Sequence, residues 1–359
     1  MAGAVGVGDK VVLTQYIGDL DYVETLEDLD RELRWFMRTY RVKDPMLVCD
    51  ANPAYRSTWL CHRWAEELNA EVVSVYHHHA HALSVAADWG GETRPFVSVA
   101  IDGVGFGVDG MAWGGGEVLM VDGGAKFNRF GHLAYVPMPG GDLASLYPVR
   151  MVISFMSRFM DDEEIINYLR KLDLLKGGLP NGEVEARVVL RQLGSSIMTS
   201  GVGRFLDAVS ALLGLALHRT YEGEPAIVLE AAARGGSLIS EFKPVIEYSG
   251  GSLIIDTVSM FKQVLEARLS GFRINDIAYT VQYLLGKALG GEVACEAIKE
   301  VSNGSVYVGG GGAAVNDYVI GGLRGELRRC GADIRLPRRV PPGDGGIALG
   351  QIYYLAHAL

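Results

Sequence analysis

No run of about 18 consecutive apolar residues occurs in this 359-residue chain, so no part of it reads as a membrane-crossing helix. Cysteine is scarce. Cys49, Cys61, Cys295 and Cys330 are the only four, and none are spaced as CxxC. That usage argues against a zinc knuckle and against a disulfide framework, and it fits a reducing cytoplasm. The opening MAGAVGVGDKVV has neither a basic start nor a long apolar stretch, so no secretory signal is expected. Positive charge is in deficit, with 33 Lys and Arg against 43 Asp and Glu for a net charge of −10. The global field therefore draws in neither nucleic acid nor an anionic membrane. The clearest basic run, RLPRRV at 335–340, reads as a solvated edge. No short-period repeat interrupts the chain.

What is abundant is apolar side chain and glycine. Hydrophobic residues make up 49% of the chain, enough for more than one core at this length. The 47 glycines stand in tight groups, such as GGGG at 309–312, where backbone must approach a ligand or another element closely. Residues 9–15 read as a strand, and Leu26, Leu29, Leu33, Phe36 and Met37 recur at helical spacing after it. PMLVCD and EVVSVY read as strands, with the helix STWLCHRWAEEL between them and HALSVAADWG as a helix after them. This alternation points to an α/β layered domain. FVSVAID and GEVLMVDG form a hairpin-like pair, 142–195 reads as helical, and TSGVGRFLDAVSALLGLAL is a strongly apolar helix. VYVGGGGAAVNDYVIGGL reads as strand, glycine loop and helix, and GGIALGQIYYLAHAL as a closing helix. The order suggests an α/β lobe over 1–125, a helical insert over 126–195 and a second α/β lobe over 196–359.

Four of the eight histidines fall in VYHHHAHALS. On a helix that starts after the strand, His77 and His81 are four apart and share one face. Two imidazoles so placed are a usual divalent-metal pair, against the plainer reading of a polar helix cap. Asp102, ending the strand FVSVAID, and Asp344, in the loop VPPGDGG before a helix, could complete the set. Two histidines with carboxylates suit iron, zinc or manganese. His78 and His79 point elsewhere, to orient ligands or face solvent. DGVGFGVDG and VGGGGAAVN are two loops whose backbone N–H groups could hold phosphate oxygens from facing lobes. Asp207, inside the apolar helix, needs a partner or lies on its wet side. The acids of YEGEPAIVLE could accept from ribose hydroxyls or simply face solvent.

Taken in order, HHHAH, AIDGVGFGVDGMAWGGGEVLMVDG, FGHLAYVPMPGGD, TSGVGRFLDAVSALLG, YEGEPA and VPPGDGGIALGQ resemble the C-terminal part of the hydrogenase-maturation carbamoyltransferase family. The resemblance runs over nearly the whole chain. It implies a two-lobed actin/hexokinase/Hsp70-like nucleotide-binding fold, similar to that of the tRNA threonylcarbamoyl transferase. It also implies a reaction in which a carbamoyl group passes from carbamoyl adenylate to the C-terminal cysteine of a partner maturation protein, toward the cyanide ligands of nickel–iron hydrogenases. By the motif match, His77, His81, Asp102 and Asp344 hold iron or zinc. Gly103 and Gly105, with Gly309, Gly310, Gly311, Gly312 and Asn316, lie against an adenine nucleotide (carbamoyl adenylate, ATP or AMP), and Asp207, Gly223 and Glu230 face its adenosine.

The match also has gaps. The family's acylphosphatase-like, zinc-finger and adenylate-forming regions have no counterpart here, so a second polypeptide is expected to supply them. DKVVLTQYIGD resembles the second arm of the family's first hairpin, with too few residues before it for the first arm. LYPVRM lacks the acidic residue and tryptophan expected near its proline and arginine. Competing readings are an antibiotic-type O-carbamoyltransferase, which shares the metal site, the tRNA threonylcarbamoyl transferase, a non-catalytic subunit of a split enzyme, and a sugar kinase, for which the histidine cluster has no use.

Overall fold

A computed structural model of the chain describes residues 1–124, 126–301 and 304–358. Ala125, at the expected lobe boundary, and Leu359, expected in the closing helix, lie outside the described residues. The amino-terminal elements are β1 (Ala4–Val7), β2 (Lys10–Leu13), α1 (Val23–Thr39), β3 (Leu47–Asp50), α2 (Arg56–Leu68), β4 (Val72–Val75) and α3 (His77–Asp88). Then come β5 (Phe96–Ala100), β6 (Gly105–Phe106), β7 (Ala112–Trp113), β8 (Glu117–Asp122), β9 (Lys126–Leu133) and β10 (Val136–Pro137). Helices α4 (Asp142–Leu146), α5 (Val149–Met156), α6 (Asp162–Lys171) and α7 (Gly182–Gln192) form the helical stretch, followed by β11 (Met198–Thr199), α8 (Val202–Leu212) and α9 (Glu224–Ala232). The remainder comprises β12 (Ile246–Ser249), β13 (Ser252–Ile255), α10 (Thr257–Leu269), α11 (Ile274–Ala288), α12 (Cys295–Glu300), β14 (Ser305–Gly309), α13 (Asp317–Arg329), β15 (Asp333–Arg335) and α14 (Ile347–Ala358).

The central sheet has seven strands in the order β12-β13-β9-β8-β5-β14-β15. β5 runs antiparallel to β8, as the paired motifs suggested, and parallel to β14. β5 is buried along its whole length because helices cover both faces, and its sequence is accordingly apolar almost without interruption. β5 and β14 both end in glycine turns at the same edge of the sheet, at Asp102-Gly103 and Gly309-Gly310.

Close helix contacts set the position of the polar groups at that edge. A Cβ on Gly350 of α14 would lie 1.8 Å from the Ala80 carbonyl oxygen of α3. Only glycine lets these two helices touch, so α14 sits directly on the histidine helix and Asp344, just before it, is carried to the same place. Gly286 of α11 and Gly322 of α13 do the same for the pair behind β14, where added Cβ atoms would lie 1.8 and 2.1 Å from backbone oxygens.

Three expectations are corrected. Residues 4–7 do form a first arm: β1 pairs antiparallel with β2 through a two-residue connection with Gly8 at φ +60°. Cys295 and Cys330 form a disulfide, closing α12 onto the end of α13 across 35 residues. The pairing carries no spacing signal, because it is made by two helices that meet only in the folded chain, and it removes the argument from cysteine usage for a reducing compartment. The basic run at 335–340 is not simply solvated. Arg335 and Arg338 lie over the Trp89 ring, and Arg339 Nε donates to the buried Asp88 at 2.8 Å. No helix of the described residues is long and apolar enough to cross a membrane.

Candidate metal and nucleotide site

β4 leads directly into α3, so the first helical residue is His77 and its first turn points at the ends of β5 and β14. All four histidines of the motif are buried. His77 Nε2 and His81 Nε2 are 3.3 Å apart. Asp102 Oδ2 lies 3.1 Å from the first and 3.7 Å from the second, and Asp344 Oδ1 lies 3.5 and 3.4 Å from them. The ligand atoms of these four residues lie within 4.8 Å of one another. Asp102 Oδ2 is buried and has no hydrogen-bond partner. An orphaned carboxylate oxygen aimed at the point where two imidazole nitrogens and a second carboxylate converge fits a bound cation.

The electrostatics agree with the geometry. Burial opposes the charge on His77, but Asp102, Asp344 and Asp50 outweigh it and hold the imidazole well above its usual range. Burial likewise works against the Asp102 carboxylate, yet His77 and His78 bring it well below the ordinary value. Asp344 is lowered by His77 and His81 in the same way, against burial. The raised imidazoles of His77 and His78 face the lowered carboxylates, and a divalent cation would take the place of that positive charge.

Support residues surround the four donors. His77 Nδ1 lies 2.8 Å from Asp50 Oδ2 at the end of β3. A carboxylate can only accept, so Nδ1 donates and Nε2 turns its lone pair to the centre in the neutral ring. His78 does not face solvent. Its Nδ1 is 3.0 Å from Glu117 of β8, which is 0% exposed and also accepts from Arg129 at 2.8 Å. His79 is packed between Phe127 and Tyr354, on the side of α3 away from the donors, where it borders a second cavity of about 600 Å3 that Arg129 and Trp113 also line. Sequence reasoning missed Asp50 and Glu117. Asp50 carried a usable signal, since LVCD ends an apolar strand in aspartate just as FVSVAID does.

The glycine residues sort into two groups. Added Cβ atoms on Gly310 and Gly311 would lie 2.2 Å from Ile101 O and from Asp102 Oδ1, and one on Gly309 would lie 2.9 Å from His81 O. These three let the end of β14 and its turn pack closely on Ile101, Asp102 and His81. Gly312 and Gly103 have open space at the Cβ position, and Gly105 packs on His78. Asn316 is buried. Its Oδ1 accepts from Tyr318 and Val319 N–H to cap α13, and its Nδ2 donates to Gln282. Glu230 accepts from Asp317 N–H at 2.8 Å, so its carboxylate is engaged at the same helix start. Asp207 is buried on α8 and paired with Arg204 at 2.7 Å, with burial raising its carboxyl while Arg204 and Arg219 pull it down. Gly223 takes φ +76° at the start of α9. Beside it, partial desolvation and the charges of Asp344 and Asp102 raise the Glu222 carboxyl of the YEGEPA loop. Arg150 of LYPVRM finds its acid in Glu185, 2.5 Å away on α7.

The comparisons with known proteins point one way. Residues 98–351 match the family described as carbamoyltransferase, Kae1-like domain, second subdomain, and residues 1–88 match the HypF Kae1-like domain. The chain belongs to the HypF carbamoyltransferase family. It is 34% identical over 350 residues to the probable carbamoyltransferase HypF of Methanocaldococcus jannaschii, covering 96% of this chain and 43% of that protein. A carbamoyltransferase HypF homolog of Cupriavidus necator is 30% identical, covering 97% of this chain and 87% of that protein. The crystal structure of T. kodakarensis HypF superposes with a TM-score of 0.88 at 35% identity, over 99% of this chain and 46% of that one. Full-length HypF in a phosphate- and nucleotide-bound form superposes with a TM-score of 0.85 at 26% identity, over 99% and 44%. The chain thus spans rather less than half the length of most HypF relatives it matches. The fold is a mixed α/β one around a large sheet, shared with these HypF structures.

Proposed function

We propose that this chain carries the transfer step of HypF chemistry: a carbamoyl group leaves carbamoyl adenylate and is bonded to the C-terminal cysteine of a partner maturation protein, in the cytoplasm. The cysteine thiol loses its proton, its sulfur bonds to the carbamoyl carbon, and the bond from that carbon to the phosphate oxygen breaks to release AMP. The observation that carries this reading is the convergence of His77, His81, Asp102 and Asp344 in a chain of this family. A bound iron or zinc ion would act there as a Lewis acid on the carbamoyl carbonyl.

The chain's own residues do the rest. Asp50 fixes the His77 ring, and Glu117 fixes His78 against Asp102. The open position at Gly312, the first residue of a short helical turn, offers backbone N–H groups for the adenylate phosphate. Nucleotide binding by this chain is supported by the nucleotide-bound relative, and the adenylate itself is made by sequence these residues do not contain. A pure scaffold has no need for four convergent donors, three of them buried, so the catalytic reading is the stronger one.

The test is metal content by elemental analysis, for wild type and for His77→Ala/His81→Ala, joined to a transfer assay fed with separately made carbamoyl adenylate. Stoichiometric iron or zinc in wild type, lost together with transfer in the double variant, is the expected result. Wild type that binds no metal after reconstitution would overturn the reading.

A further inference from the structure

Two free cysteines meet beside the support of the candidate metal centre. Cys49 is on β3, directly before the Asp50 whose carboxylate lies 2.8 Å from His77 Nδ1. Cys61 is on α2, the helix packed on β3. Both are unpaired by any disulfide, Cys49 buried and Cys61 half-buried. Both line the same cavity of about 510 Å3, through which a small reagent reaches them. The two thiols share a hydrogen bond, and Ser74, opposite Cys49 on β4, gives Cys49 a second. The bond to Cys61 brings the Cys49 thiol below its ordinary value against the burial that opposes it. The same bond pushes the Cys61 thiol up. An isolated buried cysteine behaves as a small apolar side chain. A hydrogen-bonded pair with one acidified member has the makings of a nucleophile and its resolving thiol.

The pair is tied mechanically to the metal donors. Thr58 Oγ1, one turn before Cys61 on α2, donates to Asp50 O at 3.1 Å. Tyr55, at the N-cap of α2, sets its ring edge-on to His77 with centroids 6.1 Å apart. One helix thus touches both members of the Asp50–His77 hydrogen bond. A disulfide holds its sulfurs about 2.05 Å apart, closer than two hydrogen-bonded thiols. Forming it draws α2 onto β3 and carries Thr58 and Tyr55 along, while His77 stays on α3.

We infer that Cys49 and Cys61 are a reversible redox pair which a hydroperoxide closes into a disulfide, and that closure loosens the hold of Asp50 on the His77 ring. The Cys49 sulfur attacks the peroxide, the O–O bond breaks, and a Cys49 sulfenic acid and one water form. The Cys61 sulfur then bonds to the Cys49 sulfur, and the sulfenic oxygen leaves with the Cys61 proton as a second water. The two thiols lose two electrons and the peroxide gains them. A dithiol reductant reverses the exchange. The consequence for metal rests on reading His77 as a ligand: ligand distances tolerate about 0.2 Å, so the linked chain holds its cation less tightly.

Hydrogen peroxide is the probe. Trypsin cuts after Lys43, Arg56 and Arg63, so linkage joins residues 44–56 to 57–63 in a mass spectrum. Dithiothreitol should part them. In the metal-free chain, the Nδ1–H proton of His77, followed by nitrogen-edited NMR, should exchange with solvent at least tenfold faster once the pair is linked. Cys61→Ser and Cys61→Ala should each form no link and keep the slow exchange under peroxide. Cys295→Ser/Cys330→Ser, which leaves this pair alone to respond, should behave as wild type. Overoxidation of Cys49 without a link, a link to Cys295 or Cys330, or a link that leaves the His77 proton unmoved overturns the inference. Titration of the same samples with iron or zinc separates the two readings. The linked chain should bind at least tenfold more weakly than the reduced one. A His77 proton that loosens on linking in a chain that never binds metal leaves the redox pair standing and removes the metal reading alone.

Discussion

Gly350→Ala is the sharpest probe of how the site is built. The new methyl carbon would lie 1.8 Å from Ala80 O and 2.7 Å from Ser84 N. Carbon–oxygen contacts at helix interfaces settle near 3.3 Å or beyond, so α14 must move off α3 by about 1.5 Å. Backbone supplies both contacts, and neither can rotate away. Overpacking of this kind costs about 1–3 kcal/mol. The effect on the metal is larger than that figure suggests. Ligand distances tolerate about 0.2 Å, and Asp344 hangs on the start of the displaced helix while His77, His81 and Asp102 stay behind. The variant should unfold at lower denaturant and retain less than a tenth of the wild-type metal after dialysis against a weak chelator. Gly321→Ala is the control. It lies within α13 with nothing within 4 Å of its Cβ position, so the same change should stabilise by about 0.5–1 kcal/mol and leave metal untouched. A Gly350→Ala chain with full metal and an unshifted transition would refute the argument.

Other expectations follow from the same geometry. Asp50→Asn leaves all four ligands in place but loosens the His77 ring, and should weaken metal affinity about 10–100-fold by competition titration. Reducing the Cys295–Cys330 disulfide releases a loop spanning 35 residues, and chain entropy puts the loss at about 3–4 kcal/mol, readable as a shift in the denaturation midpoint with and without reductant. The Asp88 carboxyl is pushed up by burial, but the Arg339 and Arg338 N–H groups and the Arg339 guanidinium bring it below its ordinary value. A lowered folded pKa gives stability that is complete above about pH 4 and is lost as pH falls through the lower folded value. Asp88→Asn should therefore flatten the acid limb of a stability–pH curve while lowering stability at neutral pH.

Much of the site was legible because its chemistry is local in sequence. The i, i+4 histidines, the aspartates closing apolar segments and the strand–glycine–helix pattern of 305–329 each carry their own signal, and the structure brings those donors together. What escaped depends on contacts between distant segments. Glu117 looks like the start of an ordinary strand until Arg129 and His78 close on it. The motif match places Asn316 against a nucleotide, and in the structure its side chain caps the helix behind it and donates to Gln282. Gly310 and Gly311 read as phosphate-facing, and their Cβ positions abut Ile101 and Asp102. Glycine in a loop marks close approach, but the sequence does not say to what. The hairpin at residues 4–13 was undercounted because a two-residue turn needs fewer positions than a typical loop.

The division of the four candidate metal donors along the chain has a consequence for synthesis. His77, His81 and Asp102 emerge from the ribosome early, and Asp344 about 240 residues later. At about 5–20 residues per second, the interval is roughly ten seconds to most of a minute. Through that time three candidate donors have no fourth, and α3 lacks the helix that covers it. A nascent chain cut short anywhere in the interval holds its cation loosely or not at all. Tight metal retention thus reports that translation has passed Asp344 and that α14 has docked.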